Sequence, residues 1–360
     1  MSKVTFNNQQ SQFFTTINAK VERYFEEKKI KRTGNAKLYI KSVILIGGAI
    51  AIYITLLTVG LHPALALILC CLFGIIQAGI GFNVMHDANH GSYSTKKWIN
   101  SVLSLTANSM GVNSWFWKQK HNIIHHTFTN VDGLDDDIAK PPLFRMAPSQ
   151  KHLWVHRYQY IYCVLLYGLT SLVWIFVTDF AKYFQKKIQG TAIQKMVPKE
   201  HVIFWLSKVV YFFFYIALPI YMVGFGPFIL GFVVVHFTLG LALSLVFQLA
   251  HVVEDTHFVD ANCETLRIED EWAIHQVRTT ADFATRNKII SWYTGGLNYQ
   301  VEHHLFPRIS HVHYPVIHTF VKEACQKFSV KFNNYPSMSA ALLSHFRFLK
   351  QLGRPDAYSS

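Results

Sequence analysis

Histidine clusters are the residues of this sequence whose types and spacing could bind metal ions. They occur as His86-Asp87-Ala88-Asn89-His90, as His121-Asn122-Ile123-Ile124-His125-His126 and as Gln300-Val301-Glu302-His303-His304, and a single His251 follows an apolar stretch. Residues i and i+4 of a helix lie on the same face. His86 and His90 can therefore reach one metal region, and so can His121 and His125.

Adjacent histidines in the second and third clusters indicate a site for two metals. His125 and His126, like His303 and His304, are about 100° apart around a helix axis and so suit two ions side by side. The eight imidazoles and the amide of Gln300 are more ligands than one ion takes. Imidazole binds iron, copper, zinc and nickel alike, so these residues predict a metal site without identifying the metal.

Five apolar stretches must position these clusters. Each has about 20 residues or slightly more, which is enough for a helix to cross a bilayer. They are Ser42–Leu61, Pro63–Met85, Tyr158–Val177, Val202–Val223 and Pro227–Ala250. Charged residues make up only 15% of the chain, against about 25% in soluble domains. The sequence therefore predicts an all-α membrane protein.

Basic residues near the ends of the stretches predict the orientation of each one. Lysines and arginines of residues 28–41 precede the first stretch, whereas the turns at Gly60 and Gly224 carry none. By the positive-inside rule, the first flank is cytoplasmic and both turns are outside. The third stretch has basic residues at both ends, so both ends are expected in the cytoplasm. We therefore predict four transmembrane helices, one interfacial or re-entrant helix, and a cytoplasmic helical cap that holds the metal site.

The chain reads as a single domain over residues 1–360, because no repeat or low-complexity linker divides it. Residues 1–36 are polar, with no signal-peptide pattern. Apolar side chains at helical spacing there predict an amphipathic helix on the membrane surface or on the body of the protein; they are Phe13, Ile17, Val21, Tyr24 and Phe25. Residues 251–360 form the cytoplasmic C-terminal part. The five cysteines, one of them Cys263, show no pattern of a disulfide framework or thiolate site.

The net charge of +13 suits anionic lipid head groups, an acidic electron carrier or a phosphorylated acyl carrier. The positive-inside rule alone could also explain it, and no nucleic-acid partner is predicted.

Several polar and aromatic residues outside the clusters have two possible roles. His236 is expected either to be hydrogen bonded inside the bundle or to line a substrate channel, because at 15 residues from His251 it is too far away to share a metal. The acids after the second cluster either orient metal ligands or form a solvated turn around Gly133; they are Asp132, Asp135, Asp136 and Asp137. Residues 115–117 either wall a tunnel or anchor the interface. Lys208 is expected to snorkel to the cytoplasmic interface.

The clusters resemble the three histidine boxes of membrane fatty-acid desaturases. The matching segments are HDANH, HNIIHH and QVEHH, the last within GGLNYQVEHHLFPRIS. A third box that begins with Gln is typical of front-end desaturases, which insert a double bond between an existing one and the carboxyl end. The resemblance extends through His125–Ile138 and Phe247–Asp255 and covers essentially the whole chain.

The resemblance implies a centre of two iron ions. Its implied ligands are His86, His90, His121, His125, His126, His251, His303 and His304. Gln300 takes the place of a box histidine, either as a ligand or as the partner of a bound water. In the better-known acyl-CoA desaturases, an Asn four residues before the equivalent of His251 holds a water on one iron. Phe247 stands at that position here, so that contact is not carried over.

The resemblance also implies the reaction and its partners. Dioxygen and two electrons would insert a cis double bond into an acyl-CoA or acyl-lipid chain. Many eukaryotic front-end members carry a fused cytochrome b5 domain with an HPGG motif, whereas this chain has only His62-Pro63-Ala64-Leu65. A separate donor of the cytochrome b5 or ferredoxin type is therefore expected. The site would face the cytoplasm, from the plasma membrane of a bacterium or the endoplasmic reticulum of a eukaryote.

Two other functions remain open at this point. A lipid or carotenoid hydroxylase could use the same scaffold and iron site, and it would leave an alcohol instead of a double bond. A metal transporter or a histidine-rich membrane receptor would belong to a different class. A transporter places its ligands mid-membrane on broken helices, whereas these clusters lie at or beyond the ends of the apolar stretches.

Overall fold

The computed structural model describes residues 3–7, 12–189, 191–261 and 265–355, and most of them are helical. Five of its helices are long and apolar enough to cross a membrane: Ala36–Thr58, Pro63–His90, Trp154–Gln185, Pro198–Val223 and Phe225–His251. We call them the first to fifth long helices. They coincide with the five predicted stretches and extend past most of their ends. The prediction of a mostly helical fold with membrane-length helices is thus confirmed.

Local sequence explains where these helices begin. The side chain of Asn35 accepts a hydrogen bond from the backbone N–H of Lys37 at 3.0 Å and caps the first long helix. The second starts at Pro63 and the fourth at Pro198. Proline is favoured in the first turn because its missing N–H would have no helical partner there. Gly224, at a φ of 81°, makes the sharp turn between the fourth and fifth long helices.

Shorter elements complete the described chain. The helices outside the long ones are Gln12–Lys28, Lys97–Ser104, Thr106–Ser109, Ser114–Lys118, Gln119–His125, Trp272–Thr279, Lys288–Tyr293, Gln300–Leu305, His311–His313, Tyr314–Lys327 and Met338–Leu352. Three short strand pairs are parallel: Lys3–Phe6 with Thr265–Ile268, Val131–Asp132 with Val259–Asp260, and Asp282–Phe283 with Asn334–Tyr335. Lys187–Ile188 pairs antiparallel with Thr191–Ala192.

The N-terminal amphipathic helix packs on the body of the protein. Phe13, Ile17, Val21 and Phe25 of Gln12–Lys28 are at most 5% exposed and join a core with the helix Tyr314–Lys327. The structure thus shows the helix on the body of the protein, which is one of its two predicted locations. Residues 1–2 and 8–11, like Cys263, lie outside the described residues. The N-terminal and C-terminal parts therefore form one packed layer at one end of the long helices.

The long helices cross closely where glycines face each other. A Cβ at Gly240 of the fifth long helix would lie 2.5 Å from the carbonyl oxygen of Gly168 in the third. At Gly74 of the second, a Cβ would instead overlap the Thr238 hydroxyl of the fifth. Small residues let helix backbones approach in this way. The fifth long helix is therefore held between the second and the third.

Lys208 ends in an ion pair within the helix bundle, and its snorkelling to the interface stays a prediction. Its Nζ lies 2.8 Å from Asp179 Oδ2 of the third long helix and donates to the carbonyls of Gly111 and Ile175 at 2.7 and 3.1 Å. The backbone N–H of Asn113 donates to the same carboxylate oxygen at 2.7 Å. The sequence alone could not pair residues on different helices, and the ion pair keeps the ammonium inside the bundle.

Candidate metal centre

The cluster histidines converge in two adjacent groups. His86, His90, His121 and His303 form the first, with ligand atoms within 4.8 Å of one another. His125, His251 and His304 form the second by the same measure. His126 lies beside both, in a further group with His303 and His304. As the spacing suggested, the adjacent histidines of the third cluster fall in different groups.

Four elements bring these histidines together. His86 and His90 end the second long helix, and His251 ends the fifth. These two helices pack side by side, so their C-terminal ends present histidines to the same place. His303 and His304 lie on the short helix Gln300–Leu305. The second cluster lies on a turn of its own, after Ser114–Lys118.

That turn is a π-helix, which changes the pairing within the second cluster. Gln119–His125 is π-helical, and the His126 N–H donates to the His121 carbonyl at 3.1 Å. The wider turn places His126 Nε2 3.2 Å from His121 Nε2. His121 consequently joins the first group and His125 the second, although both also lie near Asp137. A second π-helical turn, Gly81–Met85, directly precedes His86. Such turns often occur at functional sites.

The imidazole atoms are suited to bind metal ions. His86 Nδ1 and Nε2, His90 Nε2, His126 Nδ1 and His303 Nε2 are buried and have no hydrogen-bond partner within the described part of the chain. A buried polar atom without a partner is costly, so several at one point call for an explanation. Burial lowers the pKa of His121, His303 and His304 well below the ordinary value. These rings are neutral and offer lone pairs, which fits a metal centre.

Carboxylates orient one candidate ligand of the second group. His125 Nδ1 lies 3.1 Å from Asp135 Oδ2 and 3.4 Å from Asp137 Oδ2. Burial opposes charge on His125, but these carboxylates outweigh it and raise the pKa of the ring. Hydrogen bonds of this kind are usual for metal-ligating histidines. Asp136 pairs with Lys182 at 3.0 Å. The alternative of a solvated turn for residues 135–137 is therefore wrong.

The third cluster is oriented by neutral partners. His303 Nδ1 lies 3.2 Å from the Tyr314 hydroxyl, and His304 Nδ1 lies 2.8 Å from Gln276 Oε1. In both rings, Nε2 is left facing the centre. Gln300 Nε2 lies 3.0 Å from His251 Nε2 and 3.3 Å from His304 Nε2. The Gln300 amide therefore lies within the second group, and a half-turn about its last bond would present the oxygen to a metal.

Glu302 does not contact the cluster histidines but anchors the helix that carries two of them. Its Oε1 lies 3.1 Å from His318 Nδ1, which is also 3.0 Å from Asp282 Oδ2. Asp282 Oδ1 accepts the N–H of Val301 at 3.0 Å. Burial and Asp282 raise the pKa of Glu302 to about 8. Burial opposes protonation of His318, but its two hydrogen bonds raise its pKa to about 10.

We expect His318→Gln to destabilise the fold by about 3–5 kcal/mol, the usual cost of removing one partner from a buried ion pair. The variant would leave Asp282 and Glu302 buried together without a cation. The apparent melting temperature in detergent would show the loss. His257→Gln, which alters an exposed histidine, should leave that temperature unchanged. Equal melting temperatures for both variants would contradict an anchoring role for His318.

A second polar network supports the first cluster. His311 Nδ1 lies 3.0 Å from Asp87 Oδ2, and His311 Nε2 lies 3.1 Å from Lys41 Nζ. Lys41 also donates to Asn83 Oδ1 at 2.7 Å, and Ser310 donates to Asp87 at 2.7 Å. The sequence analysis counted Lys41 only among the basic residues before the first stretch and assigned no partner to it or to His311. No signal in their spacing could have shown it, because both partners come from distant segments.

The centre borders a narrow apolar cavity of about 20 Å³ on the side of the long helices. Met85, Trp117, Leu243 and Phe247 are among the residues that line it. The ring centroid of Trp117 lies 4.3 Å from that of His121, and that of Phe247 lies 6.3 Å from it. Trp117 therefore forms a wall beside the centre, which is one of the two roles considered for residues 115–117. Phe247 contributes an apolar surface there.

A polar cleft of about 630 Å³ reaches the centre from another side. His90 and His126 lie in its wall, together with Lys97, Lys118 and Arg308. No carboxylate is among the described residues that line it. The arrangement thus combines converging imidazoles, an apolar cavity and a basic entrance.

Sequence comparisons agree with this site. The sequence model of the fatty acid desaturase family matches residues 61–336, which include all three clusters. An sn-1 linoleoyl-lipid 6-desaturase of Arthrospira platensis is 36% identical over 354 residues, covering 98% of this chain and 95% of the relative. A protein of the same name from Synechocystis sp. is 35% identical over 344 residues, with 95% and 96% covered. An acyl-lipid (8-3)-desaturase of Physcomitrium patens is 36% identical over 345 residues, with 95% and 72% covered. The chain therefore belongs to the fatty acid desaturase family and is a desaturase enzyme.

Proposed function

We propose that this desaturase inserts a cis double bond between an existing double bond and the carboxyl end of a lipid-bound acyl chain. The observation that carries the proposal is the pair of buried imidazole groups beside an apolar cavity. The Gln at the start of the third cluster supports the front-end position. So do the relatives, which are named as 6-desaturases and (8-3)-desaturases of acyl lipids. Acyl-CoA is the alternative carrier.

The proposed cofactor is a pair of iron ions. The first group, His86, His90, His121 and His303, would hold one ion. The second group, His125, His251 and His304 with Gln300, would hold the other, and His126 lies close to both. A bound iron pair supplies the oxidising power that removes two hydrogens from unactivated methylenes, with dioxygen as oxidant and water as product. The ligand chemistry is compatible with iron.

The protein's own part in the reaction is to position the chain and exclude water. An acyl methylene offers no polar group to hold, so contact with apolar walls must determine which carbons lie beside the centre. Trp117 and Phe247 provide such walls next to His121. Met85 lies in the same cavity, and its flexible thioether can adapt to a chain that enters. Once these side chains move to admit a chain, the walls of the cavity would align it and keep water from the reacting carbons.

The electrons would come from a separate acidic protein of the cytochrome b5 or ferredoxin type. Lys97, Lys118 and Arg308 line the cleft that reaches His90 and His126. Their positive charge, without a carboxylate in the lining, is complementary to an acidic partner.

We further propose that four of the five long helices cross the membrane, with the site on the cytoplasmic side. Both ends of the third long helix contact the same loop: His156 Nε2 lies 2.8 Å from the Pro142 carbonyl, and Lys182 Nζ lies 3.0 Å from Asp136. The N-terminal helix packs against residues that follow the fifth long helix. Both observations favour an even number of crossings, with the third helix interfacial or re-entrant.

Cysteine labelling in intact cells tests this topology. In a background without native cysteines, Val59→Cys in the outer turn should react with a membrane-impermeant maleimide. Lys195→Cys, at an exposed position after the third long helix, should react only once the cells are opened. Labelling of Lys195→Cys from outside would show that the third helix crosses and would overturn the four-span topology.

Fatty-acid profiling of whole cells tests the reaction. The chain would be expressed in a host with its own electron carriers and fed linoleate or α-linolenate. We expect a new, more unsaturated product with its double bond on the carboxyl side of the existing ones. A hydroxylated product would favour the hydroxylase alternative. A double bond on the methyl side would contradict the front-end assignment, and protein that contains iron but gives no product would contradict the proposed substrates.

A further inference from the structure

One face of the fifth long helix leads from the histidine centre to a buried histidine in mid-helix. Steps of three or four residues from His251 reach Phe247, Leu243, Leu239 and His236 in turn. Residues at these spacings share a helix face. Phe247, Leu243 and Leu239 line the narrow apolar cavity beside the centre, which we call the inner cavity. His236 lines a different cavity. An acyl chain that lies along this face therefore runs from the centre toward His236.

The second cavity, which we call the outer cavity, lies at the far ends of the long helices. It has a volume of about 470 Å³, and its lining includes Leu61 in the turn after the first long helix. Phe73, Phe228 and Phe232 are among the residues of its wall. It is large and apolar enough to accept an acyl chain, yet it is separate from the inner cavity.

Three hydrogen-bonded side chains lie between the two cavities: Ser171, Tyr211 and His236, which we call the polar trio. Ser171 lines the inner cavity and His236 the outer one. His236 Nδ1 lies 3.0 Å from Ser171 Oγ, and His236 Nε2 lies 2.8 Å from the Tyr211 hydroxyl. All three side chains are at most 3% exposed.

The hydrogens of the polar trio can be assigned completely. The Ser171 hydroxyl donates to the backbone carbonyl of His236 at 2.9 Å, so its oxygen accepts the proton on Nδ1. Nε2 then accepts from the Tyr211 hydroxyl. His236 is therefore neutral, and both of its ring nitrogens are satisfied. Unsatisfied polar groups are costly at membrane depth, so the three side chains hold one another in place.

We propose that the polar trio is the floor of the acyl-binding site, at which the methyl end of the substrate chain stops. The inference rests on the proposed desaturase function and adds to it the residues that limit chain length. A chain that passes the centre along the fifth long helix meets Ser171 and His236 before it can reach the outer cavity. Met85 and Met110 line the narrow inner cavity, and their flexible side chains can make room above the floor.

A competition experiment tests the floor. Cells that express the wild type or His236→Ala would receive equal amounts of linoleate and a homologue two carbons longer at its methyl end. Removing the imidazole joins the two cavities, so we expect the ratio of longer to shorter desaturated product to rise by roughly tenfold or more. Misfit of a single methylene in an apolar pocket changes specificity by about 10–200-fold. The new double bond should keep its position relative to the carboxyl end.

Two further variants guard against an indirect effect. Leu239→Phe adds volume above the floor and should lower the same product ratio. Ser244→Ala removes a hydroxyl that bonds Thr170 of the third long helix at 3.0 Å but lines neither cavity, and it should leave the ratio unchanged.

If the wild type is active and both His236→Ala and Leu239→Phe leave the ratio unchanged, the floor is refuted. If the His236→Ala protein does not accumulate in the cells, the product ratio of Leu239→Phe alone tests the floor. An inactive wild type would instead contradict the desaturase reaction on these substrates.

Discussion

His303→Ala should abolish product formation. His303 Nε2 is buried and has no hydrogen-bond partner among the described residues, and its ring lies 4.4 Å from that of His86 and 4.6 Å from that of His126, measured between centroids. The change removes a proposed ligand of the first group and leaves a space in its place. We expect an effect larger than the roughly 10–100-fold seen when only an outer partner of a ligand is lost. Whole-cell fatty-acid profiling and iron content per protein would measure it.

His62→Ala is the matched control, because it removes an exposed histidine from the turn between the first and second long helices. Its product yield and iron content should equal those of the wild type. Both variants should elute from a size-exclusion column in detergent as the wild type does. If a folded His303→Ala protein formed product at the wild-type level, His303 would not be part of the metal centre.

Asp135→Asn should weaken metal binding and activity by about 10–100-fold, as is typical when the partner of a metal-ligating histidine is changed. Asp135 is fully buried, lies 3.1 Å from His125 Nδ1 and also accepts the N–H groups of Asn130 and Asp137 at 2.9 and 3.0 Å. An amide removes the negative charge that would make His125 a stronger ligand of the proposed metal. The amide would also place an N–H group where the carboxylate now accepts hydrogen bonds from the backbone. Iron retention during titration with a chelator would measure the change.

The nearby Asp132 provides a control for loss of a buried carboxylate. It accepts from Ser149 at 2.6 Å and from Gln150 at 2.9 Å and lies in none of the metal-capable groups. Asp132→Asn should therefore lower the melting temperature but have little effect on iron retention. A similar loss of iron in both variants would mean that Asp135 acts through the general stability of its loop.

The long helices and the histidine clusters were predictable because each obeys a strong local constraint. A membrane-spanning helix needs about 20 apolar residues, and the five apolar stretches meet that need. Metal ligands restrict the residue type, and helical geometry restricts the spacing. The separation of His303 from His304 into two groups followed from that spacing. The pairing of His121 with His126 did not, because the π-helical turn that produces it has no sequence pattern.

Buried charges were the least predictable part of the structure. Lys208 pairs with Asp179, and Lys41 reaches His311, across more than one element. His318 joins two carboxylates whose positions depend on how Asp282–Phe283 packs. Composition and periodicity describe which face of a helix is apolar, but they do not say which distant residue will meet a charge. These contacts require the folded chain.

The scattered origin of the centre has a consequence for how the protein is made. A ribosome that has released residues up to His251 has delivered all five long helices but only six of the eight cluster histidines. His303 and His304 arrive later, and their helix needs Asp282 and His318 to hold it. Binding of the proposed iron pair is therefore expected late in biogenesis, after the long helices have been made. A nascent chain cut short before residue 300 would sit in the bilayer as an incomplete, metal-free product for the cell's proteases to remove.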